Sequence, residues 1–209
     1  MKHHAPLAVA AIASAAFALS GCGLVGGDGA GTESEPEKNV NMQEAADRAE
    51  QILDGTLAGI KPGVRAVRGP SSDSVCTDFK NDGTGAGTVT RRRYVMTIIS
   101  EERRGSFLGV IERRWKKEGY EITSVRENKE MPAIFATTPE GFRVGLEIGY
   151  KGQASLSATS PCVTESQVTE PSREPVDPDS PAGKGLPYVH SDFWSAGTPL
   201  SSPSPGTGG

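Results

Sequence analysis

Glycine and proline are concentrated towards the two ends of the chain, and this distribution limits which residues can form a packed core. The 209 residues include 26 glycines and 15 prolines. Segments rich in these residues and in serine bury too little apolar surface to fold. We therefore expect one folded domain at about residues 42–163, between a flexible segment at 22–41 and a disordered, acidic tail at 164–209.

The first 21 residues are typical of a signal peptide. Lys2 precedes the apolar run APLAVAAIASAAFAL, which has the length of a signal-peptide h-region and is too short to span a bilayer comfortably. Leu19, Ser20, Gly21 and Cys22 follow this run. Their order, a branched apolar residue, two small residues and a cysteine, resembles the lipobox of bacterial lipoproteins.

The lipobox resemblance implies that Cys22 becomes the N-terminus of the mature chain and carries a diacylglyceryl group built from fatty acids such as palmitate. Two acyl chains give stable anchoring, whereas one gives only marginal membrane binding. We therefore expect the protein at the extracytoplasmic face of the cell membrane, with residues 22–41 as a lipidated tether. The alternative is an ordinary secreted protein cleaved near Ala15, which would keep an odd third cysteine.

Lipidation of Cys22 would leave two cysteines, Cys76 and Cys162. Exported proteins meet oxidising conditions, in which such a pair forms a disulfide. We expect a structural disulfide that ties the two ends of the domain together. The alternatives are two buried free thiols or a reactive pair, but the sequence has no Cys-x-x-Cys motif and no histidine beside either residue.

Two segments have the periodicity of amphipathic helices. The first is predicted to begin at Asn41, with Glu44 as its capping-box partner. The second is predicted to follow Ser100 and to end before Gly119, a typical residue after a helix C-terminus. The apolar face of the first comprises Ala45, Ala49, Ile52 and Leu53, and that of the second comprises Phe107, Leu108, Ile111 and Trp115.

The remaining periodic segments indicate strands. They are GVRAVRG, GTVTRRRYVMTIIS, YEITSVR, AIFATT, FRVGLEIGY and ASLSATSPCV. In the second, Tyr94, Met96 and Ile98 alternate onto one predicted face, and residues 70–87 before it are expected to form a loop. The order α-β-β-α-β-β-β-β predicts an α+β domain, with two helices packed on one face of a mainly antiparallel sheet.

The sequence lacks the usual enzyme motifs. The mature chain has one histidine, His190, which argues against a Ser/His/Asp triad, a Cys/His dyad or a histidine-bound zinc ion. No P-loop, dinucleotide fingerprint or Gly-x-Ser-x-Gly motif occurs. We predict a non-enzymatic protein with no cofactor and no metal, and an enzyme that uses only carboxylates stays open as the third possibility.

Two basic clusters are candidates for contact with anions or lipid headgroups. They comprise Arg91, Arg92 and Arg93, and Arg113, Arg114, Lys116 and Lys117. Such clusters attract phosphate, anionic lipid or charged cell-wall polymers, whereas export makes nucleic acid an implausible partner. The alternative is that they are solvated strand edges and helix ends, neutralised by nearby glutamates.

Three aromatic residues stand out in the tail. Tyr188, Phe193 and Trp194 lie within LPYVHSDFW, in an otherwise polar segment. Isolated aromatics in a disordered tail can dock to a partner protein. They can equally fold back on the domain, and the sequence leaves both possibilities open.

The predicted domain is also similar to small uncharacterised lipoproteins of actinobacteria. The similar stretches are GTVTRRRYVMTIISEERRG, RWKKEGYEITSV and GFRVGLEIGYKGQASLSATSPCV. The resemblance implies an anchored compact domain and no catalytic residue. We expect a membrane-anchored envelope protein that acts as a binding or interaction module. The alternative is a small-ligand or lipid carrier with an apolar cleft between helices and sheet.

Overall fold

The structure is a computed structural model that describes residues 37–172 and 175–198. The predicted signal peptide, the lipobox and Cys22 lie outside the described residues. The helices and strands are β1 (Glu37–Asn41), α1 (Met42–Ala58), β2 (Ala66–Arg68), β3 (Ser72–Thr77), β4 (Gly83–Val95), α2 (Glu101–Lys117), β5 (Glu121–Arg126), β6 (Ala133–Thr137), β7 (Arg143–Ile148), β8 (Ala154–Thr159) and β9 (Val163–Thr164).

Helix α1 begins at the capping box that the sequence predicts. The Asn41 side chain accepts a hydrogen bond from the Glu44 backbone N–H at 3.0 Å, and the Glu44 carboxylate accepts from the Asn41 N–H at 2.9 Å. Two N–H groups that the helix leaves unpaired are thereby satisfied. Ser100 precedes α2 as predicted, but its hydroxyl donates to the Ala196 carbonyl at 2.6 Å instead of capping the helix.

The predicted α+β class is confirmed. In the described residues the strands form one sheet, in which the hydrogen-bonded path runs β1-β9-β4-β8-β7-β6-β5. Strands β9 and β8 pair with residues 86–87 and 90–95 along one edge of β4, and β3 and β2 pair along its other edge. Strands β5 to β8 form the antiparallel meander expected from their short turns. All the pairs are antiparallel except β1 with β9. Both helices pack on one face of this sheet.

The expected loop at residues 70–87 is wrong in part, because it contains β3 and the first residues of β4. These strands form a hairpin, and the Asp78 carboxylate holds its turn by accepting from the N–H groups of Lys80 at 2.8 Å and Asp82 at 3.0 Å. The prediction failed because β3 is largely exposed and has few apolar residues. Cross-strand pairing, which depends on distant residues, stabilises it instead.

The strand predicted to run to residue 100 is shorter in the structure, because β4 ends at Val95, before Met96 and Ile98. The side chains of Arg91 and Arg93 lie on the helix-covered face with Val89 and Val95, whereas Tyr94 lies on the opposite face. Hydrophobic alternation misleads here, because two arginines occupy positions that normally hold apolar residues. Their burial requires charged partners, and α1 provides them.

The space between the helices and the sheet is filled by apolar side chains. The largest fully buried side chains of this core include Trp115, Phe107, Leu53, Ile111, Leu146 and Leu156. The predicted apolar faces of both helices are therefore confirmed as core. Among the described helices, none is long and apolar enough to cross a membrane.

The C-terminal segment, residues 164–172 and 175–198, differs from the disordered tail that its composition predicts. Its last part folds back on the domain, where Val189 forms a parallel bridge with Thr97. Trp194 is completely buried, and its indole N–H donates to the Pro62 carbonyl at 2.7 Å. The folded unit therefore continues past the boundary that we predicted at residue 163.

Candidate binding cleft

A cluster of charged side chains lies between α1 and β4. Glu50 and Asp54 are one turn apart on α1, and both accept hydrogen bonds from the guanidinium of Arg93, the Asp54 contact being 2.8 Å. Arg91 Nε lies 3.6 Å from the Glu50 carboxylate, and Arg68 Nε lies 3.3 Å from it. Glu50 is therefore shared by three arginines.

Burial and charge act in opposite directions on Glu50. Burial alone would raise the pKa of its carboxyl, but the hydrogen bond and the charge of Arg93, followed by those of Arg68, outweigh that effect. The pKa of Glu50 therefore lies below its ordinary value, and the side chain is an anion at neutral pH. Arg91 and Arg93, at 2% and 4% exposure, are stabilised in the interior by this anion.

The first part of the C-terminal segment crosses this cluster. The Thr169 carbonyl accepts from Arg91 Nη2 at 2.9 Å, and the Thr169 N–H donates to the Gln43 side chain at 2.7 Å. Arg68 Nη1 donates to the Ser172 carbonyl at 3.4 Å. The arginines of the charged cluster therefore also fix the path of the segment that leads into the tail.

Beyond this crossing, the C-terminal segment bounds an open cavity of about 1340 Å³, which we call the tail cleft. One wall is β2 with its flanking residues 65–70, and the floor is formed by the end of β4 and the β7–β8 turn. The other wall is formed by residues 172, 175, 176, 178 and 182–185 of the C-terminal segment. The cleft therefore lies at the sheet edge, outside the helix–sheet core.

Cationic side chains predominate in the lining of the tail cleft. Its lining includes Arg65, Arg68, Arg93 and Lys184, against the single carboxylate of Asp54. Arg93 is neutralised by its ion pairs. Arg68 and Lys184 also lie beside carboxylates, Glu50 at 3.3 Å and Asp179 at 3.8 Å, but their side chains are about half exposed. A cleft lined by one sign of charge raises the local concentration of oppositely charged groups, so this one favours anionic ligands.

Two tyrosines add aromatic surface to the cleft. The Tyr94 ring lies against Gly69, where an added Cβ would approach the ring to 3.3 Å. Gly185, on the opposite wall, has a φ of +66°, a conformation that favours glycine. Tyr150 projects from the β7–β8 turn with 70% of its surface exposed. The two rings can contact a ligand without rearrangement of the core.

The two predicted basic clusters are not brought together as one surface. Arg91 and Arg93 are buried ion-pair partners, so the candidate role of contact with an external anion does not hold for them. Arg92 donates to the Pro70 carbonyl at 3.2 Å.

In the cluster on α2, Arg114 pairs with Glu118, and Lys116 pairs with Glu112 at 2.6 Å. Arg113 and Lys117 are exposed. The neutralised helix end that we gave as the alternative therefore describes this cluster better than an anion site does.

The tail aromatics fold back on the domain rather than presenting one external docking surface. Trp194 packs edge-to-face against Phe107 at 5.1 Å and against Phe193 at 4.7 Å. The Arg103 guanidinium lies 5.1 Å from the Phe193 ring centre. Only Tyr188 keeps a large exposed fraction, 48%. Of the two possibilities that the sequence left open, docking to a partner protein and folding back on the domain, the structure has the second.

The predicted disulfide between Cys76 and Cys162 is present. It joins β3 to the residue before β9, on opposite sides of β4.

No sequence pattern marks Arg65, Arg68, Lys184 or Tyr150, because they are isolated polar residues in turns and short strands. Within the described ranges, no three His, Cys, Asp or Glu side chains are grouped so as to hold a metal ion.

Comparisons with known proteins give one distant likeness. No protein family and no curated protein matches the sequence. A solved structure that is similar is that of a DUF4853 family protein from Actinomyces odontolyticus ATCC 17982. The two share 15% sequence identity, the match covers 69% of this chain and 76% of the other, and the TM-score is 0.39.

Proposed function

We propose that the chain is a lipid-anchored envelope protein whose domain is a non-enzymatic binding module, with the tail cleft as its binding site. The lipobox-like sequence ending at Cys22 supports the anchor and the extracytoplasmic location. The Cys76–Cys162 disulfide supports a location outside the reducing cytosol. The tail cleft supports the binding role, because it combines open space, charge and aromatic surface on a rigid sheet edge.

The tail cleft is the observation that carries this proposal. Functional sites are commonly concave and are formed by loops held on a rigid scaffold. Here the scaffold is β2 and β4, and the loop is a segment fixed at one end by Arg91 and at the other by Trp194. Such a cleft presents the same surface to each partner molecule.

The alternative, a carrier of a small apolar ligand between helices and sheet, is less favoured. Side chains such as Trp115, Phe107 and Leu146 fill that space. A ligand there would have to displace core residues, each contributing roughly 1.5–3 kcal/mol through burial. The tail cleft needs no such displacement.

Anchoring is tested by the variant Cys22→Ser. In cells fed an alkyne analogue of palmitate, we expect the natural chain to be labelled and the variant to be unlabelled and to accumulate as the precursor. Cys76→Ser with Cys162→Ser is the matched control, because it also removes cysteines but leaves the lipobox intact. Labelling that persists in Cys22→Ser would refute the anchor.

Binding is tested by photo-crosslinking in intact cells. A photoreactive phenylalanine analogue replaces Tyr150 in the cleft, and in a control it replaces Phe79, which is 84% exposed but lies on the β3–β4 turn. We expect a reproducible adduct from position 150 and none from position 79. Equal adducts at the two positions, or none at position 150, would refute the cleft as the binding site.

A further inference from the structure

The pairing of β2 with β4 fixes which backbone groups of β2 face away from the sheet. The Met96 N–H donates to the Arg65 carbonyl at 2.8 Å, and the Gly69 N–H donates to the Arg92 carbonyl at 3.0 Å. In an antiparallel ladder, hydrogen-bonded residues alternate with residues whose N–H and C=O groups point outward. Residues 65, 67 and 69 therefore bond to β4.

Ala66 and Arg68 have the opposite parity, so their backbone N–H and C=O groups point away from β4. Both residues line the tail cleft. Within residues 37–172 and 175–198, these outward groups have no hydrogen-bond partner. An unpaired strand edge of this kind is a template for another extended chain.

The facing wall of the cleft leaves this edge unpaired. It contains Pro175, Val176 and Pro178, and proline has no backbone N–H to donate. No backbone hydrogen bond joins the described residues of this wall to β2. The tail cleft separates the described residues of this wall from the strand.

The size and the charge of the cleft indicate which chain would fit. Its volume of about 1340 Å³ exceeds the roughly 300–1,000 Å³ of typical small-molecule sites, which favours an elongated occupant. Cations predominate in its lining, and Arg68 and Lys184, each beside one carboxylate, are about half exposed. A peptide with acidic side chains on alternate residues would pair with the strand and place carboxylates near these cations.

We propose that the tail cleft binds an extended acidic peptide segment of a partner protein, which adds as a strand to the outward edge of β2 at Ala66 and Arg68. This inference rests on the proposed function and gives it a partner chemistry. Main-chain hydrogen bonds provide the affinity in this mode of recognition, and alternate side chains provide the specificity.

The probe is a capped hexapeptide of alternating Glu and Val, added to the ¹⁵N-labelled chain from residue 23 onwards, which keeps every described residue. We expect saturable binding, with slower hydrogen exchange at the amides of Ala66 and Arg68. A peptide with N-methylated alternate residues cannot pair and is expected to bind about tenfold more weakly. A third peptide with Lys in place of Glu tests the charge preference and is expected not to bind.

Two variants test the edge itself. Ala66→Pro removes an outward N–H while keeping the bonds to β4, and edge strands tolerate such prolines. Lys184→Glu leaves the strand intact and reverses a charge. We expect both to weaken binding of the Glu/Val peptide about tenfold or more. The control Phe79→Ala should bind normally. If Ala66→Pro does not fold, Lys184→Glu and the N-methylated peptide decide the question.

The outcomes separate this inference from the proposed function. An adduct at position 150 in cells, without protection of Ala66 and Arg68 by the peptide, would overturn strand addition and leave the cleft as a binding site. Peptide binding without any adduct at position 150 would refute the cleft as a binding site in cells, but it would not refute strand addition to the edge of β2. Protection of both amides in a concentrated sample without peptide would identify a second copy as the occupant and overturn the proposal.

Discussion

Replacing Trp194 by alanine should destabilise the whole domain, although the residue lies thirty positions beyond the last strand. Its ring is completely buried, packs on Phe107 and Phe193, and donates a hydrogen bond to the Pro62 carbonyl at 2.7 Å. The backbone carbonyl of Trp194 also accepts from the Ser100 N–H at 3.0 Å, at the start of α2. Truncation removes the side-chain contacts and leaves this backbone bond possible.

The magnitude follows from the burial. Removing a fully buried tryptophan or phenylalanine side chain costs about 3–5 kcal/mol of the free energy of unfolding. The described unit has a size for which each kcal/mol shifts the melting temperature by roughly 2–4 °C. We therefore expect a decrease of roughly 6–20 °C. Trp194→Phe keeps a ring beside Phe107 but loses the hydrogen bond, so its cost should be intermediate.

Urea unfolding followed by far-UV circular dichroism measures this change. Tyr188→Ala is the matched control, because Tyr188 lies in the same segment but is half exposed, and it should change the free energy of unfolding by less than about 1 kcal/mol. If Trp194→Ala were as stable as this control, the C-terminal segment would not be part of the core.

Three further predictions concern the disulfide and the buried charges. Replacing Cys76 and Cys162 together by alanine should lower the free energy of unfolding by about 2–4 kcal/mol, because the bond joins residues 86 positions apart. Equal urea midpoints for the variant and the natural chain would contradict this prediction. Glu50→Gln should lower the free energy of unfolding by about 3 kcal/mol, since it leaves buried Arg93 without the Glu50 anion. Asp54→Asn, at an exposed position, should lower it by less. Because the folded-state pKa of Glu50 is lowered, its stabilisation is complete above the unfolded pKa, near 4.3, and is lost as pH falls through the folded value. The difference in stability between the natural chain and Glu50→Gln should therefore shrink below about pH 4, as acid titration of the unfolding midpoint would show.

Local signals in the sequence predicted the helices and the meander well. The capping box at Asn41 and Glu44, the apolar stripe that ends at Trp115, and the short turns between β6, β7 and β8 depend on residues close together in the chain. The disulfide followed from counting cysteines. These features need no knowledge of distant contacts, and the structure confirms them.

The buried arginines and the C-terminal segment depend on contacts between distant residues. Arg91 and Arg93 are buried because Glu50, some forty positions earlier, meets them across the helix–sheet interface. Trp194 is buried because Phe107 and Pro62 meet it from two other elements. Composition describes the average of a segment, so it cannot show that one tryptophan fixes a proline-rich chain.

The tail cleft could not be predicted from the sequence either, because it also depends on contacts between distant residues. Its walls come from β2 and from residues more than a hundred positions later, and neither wall has a motif. The parity of β2, which decides that Ala66 and Arg68 face outward, follows from its register with β4. The lipid anchor, in contrast, stays a prediction from sequence alone, because Cys22 lies outside the described residues.

The burial of Trp194 has a consequence for the order in which the protein becomes complete. A ribosome makes the N-terminus first, so the residues that cover Phe107 are among the last of the described chain to be made. Until these last residues emerge, the residues of both helices and all nine described strands are already synthesised. The core nevertheless has an open side and lacks part of its stability. For the exported protein proposed above, this delay would favour passage through the membrane as an unfolded chain, because the fold is completed only when its final segment is available.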